Sequence, residues 1–250
     1  MRGTRDAINN GAASRGEEAW KMLGDFLPAA LQRSARLSEE AAAPPLLPQP
    51  LVAQADAARE AVNGTSEPAL ANPLVWLDLE MTGLDLDSDT VIEVACIITD
   101  GELEHVIEGP DVAIHHDEAV LSTMNEWSTT QHGASGLTQR CRESTISMRD
   151  AEDQVLAFVG AHTEAGAAQL AGNSVHVDAA FLRRWMPRLS AHLHYRIVDV
   201  STVMELCRRW YPRAYRRAPR KKALHTAKSD IYESLDQLRF YRQAIFKRPP

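Results

Sequence analysis

The sequence has few cysteines, and none of them is placed to pair. Cys96, Cys141 and Cys207 are odd in number and far apart, and no CxxC pair occurs. This spacing argues against a disulfide framework and against a zinc knuckle. We expect three thiols packed as small apolar side chains, in a protein of a reducing compartment.

A long apolar segment is also absent. No uninterrupted apolar run approaches the ~20 residues that a transmembrane helix requires. Apolar residues nevertheless make up 44% of the chain, which is ordinary for a globular domain with a core. We therefore expect no membrane partner, and an intracellular location in the cytoplasm or the mitochondrion.

The third absence is positive charge in the first part of the core, from Pro73 to Gln139. Between Pro73 and Gln139 there is no Lys or Arg but there are fourteen Asp and Glu. From Arg140 to Pro250 there are twenty Lys and Arg against eleven acids. A protein that holds divalent cations and also a polyanion needs both kinds of surface. Plain solvated surface would give the same counts, so charge alone leaves both interpretations open.

Residues 1–72 differ in composition from the rest of the chain. Ala, Pro, Gln and Glu dominate this segment, which includes AAAPPLLPQP, and such a composition predicts a disordered low-complexity extension. Trp20 to Leu31 carries a helical apolar stripe, which would suit part of an organelle targeting peptide. Acids such as Glu17 and Asp25 argue against that alternative, because targeting peptides are poor in acids.

The segment 73–246 has the pattern of one folded domain. Short runs of strand formers come first and then alternate with helical patterns, which predicts an α/β domain with a mixed sheet. The predicted strands are 74–81, 90–99, part of 103–115, 168–174 and 195–200, with a hairpin turn at Asp100–Gly101. The predicted helices are 148–162, 179–189 with a stop near Pro187, 201–211 with Ser201 as its cap, and 222–246.

Two acids interrupt the first apolar strand. Asp78 and Glu80 are two residues apart, so their side chains point to the same face of the strand. Two neighbouring carboxylates in an apolar setting repel each other, and a hard divalent cation such as Mg²⁺ or Mn²⁺ removes that conflict. An acid-x-acid triplet is common by chance, so the apolar surroundings of this triplet are what single it out.

Three further residues complete a possible metal site. Asp178 follows the strand and turn of AQLAGNS, where an Asp is most often only a helix cap. His225 and Asp230 are five residues apart near the start of the final helix. A lone pair of this kind is usually exposed to solvent and has no specific role. Taken with Asp78 and Glu80, however, they supply four carboxylates for two cations and a His able to deprotonate a water, which suits phosphodiester hydrolysis.

Six segments of the sequence match one known family. They are WLDLEMTGLD (76–85), VIEVACIITD (91–100), EWSTTQHGASGLT (126–138), GNSVHVDAAFL (172–182), HYRIVDVST (194–202) and HTAKSDIYESLDQLRFYR (225–242). This pattern resembles the DEDD exonucleases of the His-containing subclass (DEDDh), and within them the oligoribonuclease family. The resemblance implies a ribonuclease H-like α/β fold, with a mixed β-sheet flanked by helices, over residues 73–246. It also implies a homodimer that degrades very short RNA, from dinucleotides to pentanucleotides, from the 3′ end to nucleoside 5′-monophosphates.

The resemblance also implies roles for individual residues. The implied ligands of two divalent cations, Mg²⁺ or Mn²⁺, are Asp78, Glu80, Asp178 and Asp230. The implied general base is His225, and Tyr195 is the implied tyrosine that reaches the active site of a partner subunit. The implied substrate contacts are Leu84 and Trp127 for the bases, His132 beside the substrate, and Ser174, Arg196, Ser201 and Thr202 for a 5′ phosphate.

Several of these residues could instead have purely structural roles. Trp127 would suit a core, Ser201 a helix cap, and Arg196 an ion pair with a surface acid. The family string HxALDD is here HTAKSD, so Lys228 and Ser229 depart from it. Lys228 would either compete with a cation at Asp230 or meet a phosphate. A broader DEDDh exonuclease and a catalytically inactive nucleotide-binding module therefore remain alternative functions.

Overall fold

The computed structural model describes residues 70–219 and 226–247. A five-stranded sheet runs through this part of the chain in the order β3-β2-β1-β4-β5. β1 and β2 pair antiparallel, as do β2 and β3, whereas β4 pairs parallel to both β1 and β5. The strands are β1 Leu74–Met81, β2 Val91–Thr99, β3 Val106–Ala113, β4 Gln169–Gly172 and β5 His194–Asp199. The predicted α/β architecture with a mixed sheet is confirmed.

Helices cover both faces of this sheet. Three short ones follow β3, and they were not predicted. These are α1 Glu118–Leu121, α2 Glu126–Ala134 and α3 Leu137–Glu143. The others are α4 Met148–His162, α5 His176–Trp185, α6 Pro187–His192, α7 Val200–Trp210, α8 Pro212–Tyr215 and α9 Ala227–Ala244. No helix in the described part combines the length and the hydropathy that crossing a membrane requires.

The alternation of β1 decides where its acids point. Leu77 and Leu79 belong to the core cluster under α4 and α5, whereas Leu74 and Trp76 belong to the cluster under α7 and α9. Side chains two residues apart share a face of a strand. Asp78 therefore continues the row of Leu74 and Trp76 and lies on the α9 side of the sheet.

Three helix boundaries differ from the predictions for a local reason. The helix predicted for 179–189 is two helices, because Pro187 cannot continue α5 and instead opens α6 as its first residue. Asp199, not Ser201, caps α7, so the prediction of a Ser201 cap is wrong. The final helix begins at Ala227 after Thr226, its N-cap. The predictions for 1–69 and for residues 222–225 lie outside the described residues.

The edge strand β3 carries a bulge beside a crowded glycine. The register shifts between Ala95 and Ile97 of β2, where β3 has an extra residue. A Cβ built at Gly109 would lie 2.6 Å from the carbonyl oxygen of Cys96 and 2.4 Å from the ring of Phe158. Backbone cannot yield as a flexible side chain can, so only glycine fits this close approach.

Substituting that glycine should destabilise the fold. Gly109→Ala is expected to lower the free energy of unfolding by about 2 kcal/mol, because overpacking against backbone forces a shift of the bulge. Gly133→Ala is the matched control, since Gly133 lies in α2 with no atom within 4 Å of the added Cβ. That change should raise stability by up to about 1 kcal/mol. Urea denaturation followed by circular dichroism measures both, and equal effects would contradict the assignment.

Candidate active site

Three carboxylates from two elements converge at one end of the sheet. Asp78 and Glu80 project from β1, and Asp230 projects from the first turn of α9. One carboxylate oxygen of each lies within 4.8 Å of the others, and all three residues are half-buried. Hard oxygen ligands at this spacing fit a divalent cation such as Mg²⁺ or Mn²⁺.

The cap of α9 sets the position of Asp230. The Thr226 hydroxyl accepts a hydrogen bond from the backbone N–H of Ser229 at 3.4 Å, and the Asp230 N–H donates to the Thr226 carbonyl at 3.0 Å. These bonds close the first helical turn. A negative side chain in that turn also faces the positive end of the helix dipole.

Asp178 lies against the same stretch of β1 and is not a helix cap. Its Oδ1 accepts a hydrogen bond at 3.0 Å from the N–H of Leu79, the residue between Asp78 and Glu80. β1 pairs with β4 only as far as Trp76, so this N–H lies beyond the part of β1 that pairs with β4. Burial raises the pKa of Asp178 to about 6, against the lowering effect of the N–H donors.

His132 is buried behind Glu80. Its Nε2 lies 3.0 Å from the carbonyl oxygen of Met81, and its Nδ1 lies 3.9 Å from Glu80 Oε2. A carbonyl oxygen only accepts, so Nε2 must carry a proton in this contact. Burial lowers the pKa of His132. The contact ties α2 to the end of the strand that carries the two acids.

Leu84 and Trp127 are exposed apolar side chains on separate elements. Leu84 is 74% exposed and Trp127 is 64% exposed, so the alternative of a core tryptophan is wrong. Trp127 opens α2, the helix that also carries His132. Asp89 shapes the loop of Leu84, because its carboxylate accepts from the Thr82 hydroxyl at 2.7 Å and from the Asp85 N–H at 2.9 Å.

A polar cluster occupies the carboxyl ends of β4 and β5. The Ser174 N–H donates to Asp199 Oδ1 and to the Ser201 hydroxyl, both at 2.9 Å. Thr202 also lies at Asp199, with its hydroxyl 3.5 Å from Oδ2. Ser174 has a φ of 53°, a left-handed conformation that places its N–H toward this cluster.

Asn173 joins this polar cluster to α9. Its Oδ1 accepts from the Ser201 hydroxyl at 3.2 Å, and its Nδ2 donates to Ser234 Oγ at 2.9 Å and to Gln237 Oε1 at 3.2 Å. The helix that presents Asp230 is therefore hydrogen-bonded to the loop that presents Ser174. Neither Asn173 nor Asp199 was singled out from the sequence, although both lie within the matching segments.

Tyr195 and Arg196 extend into solvent from the edge strand β5. Tyr195 is 81% exposed, and its ring stacks on His194 at a centroid distance of 4.5 Å. The Arg196 guanidinium lies 5.3 Å from the centre of the Tyr195 ring. Among the described residues its side chain has no acidic partner, so the alternative of an ion pair with a surface acid is wrong. The structure does not bring Arg196 into hydrogen-bond contact with the Ser174 cluster.

Comparisons with known proteins give one consistent result. The model of an exonuclease family, RNase_T, matches residues 75–238. The chain is 52% identical over 180 residues to the mitochondrial oligoribonuclease of Homo sapiens, covering 72% of this chain and 76% of that one. It is 52% identical over 174 residues to the oligoribonuclease of Marinobacter nauticus, covering 70% and 96%. The chain belongs to the oligoribonuclease family of exonucleases.

Solved structures resemble the chain in fold alone. The complex of E. coli exonuclease I with single-stranded DNA matches with a TM-score of 0.53 at 14% identity, over 70% of this chain and 41% of that one. Exonuclease I from Methylocaldum szegediense matches with a TM-score of 0.53 at 19% identity, over 69% and 41%. The predicted ribonuclease H-like fold is thus confirmed. As a member of the oligoribonuclease family the chain is a nuclease, a hydrolase of the divalent-metal-dependent exonuclease class.

The departures from the oligoribonuclease pattern have structural roles. Lys228 Nζ lies 2.6 Å from Glu108 Oε2 of β3, a contact that was not expected for this residue. The Ser229 hydroxyl donates to the Thr226 carbonyl at 2.9 Å and accepts from the Thr226 hydroxyl at 3.0 Å. Both residues thus stabilise the first turn of α9. His225, the residue before Thr226, lies outside the described residues.

A buried acid beside the site was missed by the sequence reasoning. Glu93 stands opposite Glu80 on β2, and its side chain is 1% exposed. Its Oε1 lies 2.5 Å from Nη2 of Arg140, an α3 residue. Burial raises the pKa of Glu93, and Arg140 offsets this only in part. An acid inside the apolar run VIEVACII is the same signal as Asp78 and Glu80, so the sequence offered a means of finding it.

Removing the partner of this buried acid should destabilise the domain. Arg140→Met is expected to lower the free energy of unfolding by about 3 kcal/mol at neutral pH, because it leaves the Glu93 carboxylate buried and unpaired. Burial places the pKa of Glu93 above its unfolded value, so the charged form disfavours folding. The loss should therefore shrink as the pH is lowered and Glu93 takes up a proton.

Arg142→Met is the matched control for that measurement. Arg142 lies on the same helix and pairs with Glu118, but that pair is exposed to solvent. Such a pair contributes little to stability. Denaturant midpoints measured across a pH series give both values. A loss in Arg140→Met that is independent of pH would contradict the role of the Glu93 charge.

Proposed function

We propose that the chain is a 3′→5′ exoribonuclease that hydrolyses very short RNA, from dinucleotides to pentanucleotides, to nucleoside 5′-monophosphates. The observation that carries this proposal is the convergence of the Asp78, Glu80 and Asp230 carboxylates within 4.8 Å in a chain of the oligoribonuclease family. The relatives are named for action on oligoribonucleotides, which supports RNA as the substrate. Residues 73–246 form the catalytic domain in this proposal.

The four acids Asp78, Glu80, Asp178 and Asp230 would hold two divalent cations, Mg²⁺ or Mn²⁺. When bound, such a pair of cations supplies positive charge that favours in-line displacement at a phosphodiester. The raised pKa of Asp178 and the mutual proximity of the other three carboxylates are what an acidic site has before a cation neutralises it. The Leu79 N–H fixes one oxygen of Asp178 beside β1.

His225 is the proposed general base. It directly precedes Thr226, the cap of the helix whose first turn carries Asp230. An imidazole nitrogen there would take the proton of the attacking water.

Two exposed apolar side chains would hold the bases of the substrate. Leu84 would wedge between bases and Trp127 would stack on one, which gives about 1–3 kcal/mol per base regardless of its identity. His132 would support the site from behind Glu80 through its Met81 contact. This pair of apolar contacts suits a substrate of two bases better than a long strand.

A cap for the 5′ phosphate would set the length limit. The hydroxyls of Ser174, Ser201 and Thr202 lie together, and Arg196 offers a guanidinium without an acidic partner among the described residues. Charge-assisted hydrogen bonds from such donors bind a terminal phosphate. A longer strand would meet these groups with an internal phosphate and further nucleotides, which have no room in a cap.

The proposal includes a homodimer. Tyr195, which is 81% exposed on an edge strand, would reach the active site of a second copy. Residues 1–72 would be an extension outside the catalytic domain. The proposed location is the mitochondrion or the cytoplasm, and the name of the mitochondrial relative in Homo sapiens supports the first of these.

A length series tests the substrate proposal. With Mn²⁺ present, 5′-labelled RNAs of two to seven nucleotides should be degraded fastest as dinucleotides, and the rate should fall steeply once the chain outgrows the 5′ cap. Denaturing gels follow the products, and single-stranded DNA of the same lengths is the control. Equal rates across the series, or equal rates on DNA, would favour a broader DEDDh exonuclease. Binding of dinucleotides without hydrolysis in Mg²⁺ or Mn²⁺ would favour an inactive binding module.

Substituting a proposed metal ligand tests the site. Asp78→Ala should reduce dinucleotide hydrolysis by more than about a hundredfold. The domain should stay folded, because losing one carboxylate relieves repulsion within the cluster. Asp87→Ala is the control, since the Asp87 side chain is 98% exposed in the neighbouring loop. Thermal melts and steady-state rates give the two readouts, and full activity in Asp78→Ala would disprove the site.

A further inference from the structure

A carboxylate on the edge strand β3 contacts one residue before Asp230 and one residue after it. Glu108 accepts hydrogen bonds from Lys228 Nζ at 2.6 Å and from the hydroxyl of Tyr232. These two partners, Lys228 first, lower the pKa of Glu108. Residues four apart share one face of a helix, and the residue midway between them lies on the other face. Glu108 therefore contacts the face of the turn opposite Asp230. The Lys228–Glu108 pair is exposed (39% and 55%), so we expect it to affect the position of this turn and to contribute little to the stability of the fold.

The sheet fixes where Glu108 points. Trp76, Ile97 and Glu108 are successive partners across β1, β2 and β3, so their side chains share the face covered by α9. Neighbouring strands are about 4.8 Å apart, which places Glu108 roughly 10 Å from β1. Gly109 follows at once in the bulge, where the backbone lies close to Cys96 and Phe158.

The three-carboxylate cluster needs such a restraint. Asp78 and Glu80 are held by β1 in the middle of the sheet, but Asp230 belongs to the first turn of a separate helix. A cation bound by all three would need one oxygen of each to stay within this 4.8 Å cluster, so the turn must keep its place against the sheet. A bond from the other face of the turn to β3 favours that place.

We propose that Lys228 and Glu108 are positioning residues that hold Asp230 in the metal site. This proposal rests on the function proposed above, because it takes Asp78, Glu80 and Asp230 as cation ligands. The family pattern has Leu where this chain has Lys228, and Leu has no charge to offer Glu108. The contact with Glu108 thus gives Lys228, a departure from the family string, a role beside the proposed metal site.

Removal of Lys228 should change the affinity for a cation in opposite directions, depending on whether Lys228 acts through its charge or through its position. Lys228 is a cation two residues from Asp230, so by charge alone its removal would strengthen the binding of a divalent cation. If Lys228 acts through Glu108, its removal weakens binding, because the ligand set loses its geometry. Partners that orient a ligand typically change metal affinity by about tenfold or more.

The experiment measures Mn²⁺ affinity by isothermal titration calorimetry and Mn²⁺ activation of dinucleotide hydrolysis, using the full chain. Lys228→Met and Glu108→Gln should each weaken Mn²⁺ binding about tenfold, with a matching rise in the Mn²⁺ concentration for half-maximal rate. The double variant should lose no more than either single variant, because both changes break one interaction. Lys228→Arg retains the charge and should stay within about twofold of the unaltered chain.

Arg242→Met is the matched control. Arg242 lies at the other end of α9 and pairs with Glu102 in the β2–β3 hairpin, about 18 Å along the helix from Asp230. Its Mn²⁺ affinity should equal that of the unaltered chain, while its melting temperature should change as much as that of Lys228→Met. An equal loss of Mn²⁺ affinity in this control would show that any loosening of α9 weakens Mn²⁺ binding. That result would overturn the proposal.

The remaining outcomes separate this proposal from the function on which it rests. Unchanged or tighter Mn²⁺ binding in Lys228→Met would overturn the positioning role while leaving the metal site intact. Additive losses in the double variant would overturn the pairing with Glu108. Absence of Mn²⁺ binding by the unaltered chain would overturn both proposals.

Discussion

The mutual repulsion of carboxylates on β1 and α9 is the constraint on which the site depends. Asp78 and Glu80 follow Trp76 on one face of a strand that is otherwise apolar, and α9 brings Asp230 to the same place. A fold built only for stability would put apolar side chains in these positions, because charged groups lose hydration free energy in a low-dielectric setting. A divalent cation bound by these carboxylates would offset that cost, so the same arrangement would favour metal binding.

Several contacts around the cluster limit how it can relieve that repulsion. Asp178 is tied to the Leu79 N–H, and His132 is tied to the Met81 carbonyl beside Glu80. Glu93, on the neighbouring strand β2, is held by Arg140 of α3. Each contact uses a backbone group or a charged partner near the end of β1, so the acids can move little without breaking a bond.

The folded domain also links the cluster to the surface where a substrate would lie. Asn173 connects α9 to the loop of Ser174 and Ser201, while α2 carries both buried His132 and exposed Trp127. A shift of α9 would therefore displace residues of the proposed phosphate cap as well as Asp230. This coupling is one reason that the first turn of α9 is restrained at several points.

The sequence alone determined that the protein is an α/β exonuclease with Asp78 and Glu80 on one face of its first strand. Strand periodicity and family motifs are local patterns, so they can be recognised in the sequence without a structure. Only the tertiary structure decided that Asp199 caps α7, that Arg196 lacks an acidic partner in the described part of the chain, and that Lys228 reaches Glu108. Lys228 and Glu108 are far apart in the chain, and a contact between a helix and an edge strand depends on packing and on the bulge at Gly109. Neither factor leaves a pattern in neighbouring residues. From the sequence alone Lys228 therefore suggested competition with a cation at Asp230, whereas in the fold its side chain contacts Glu108 of β3.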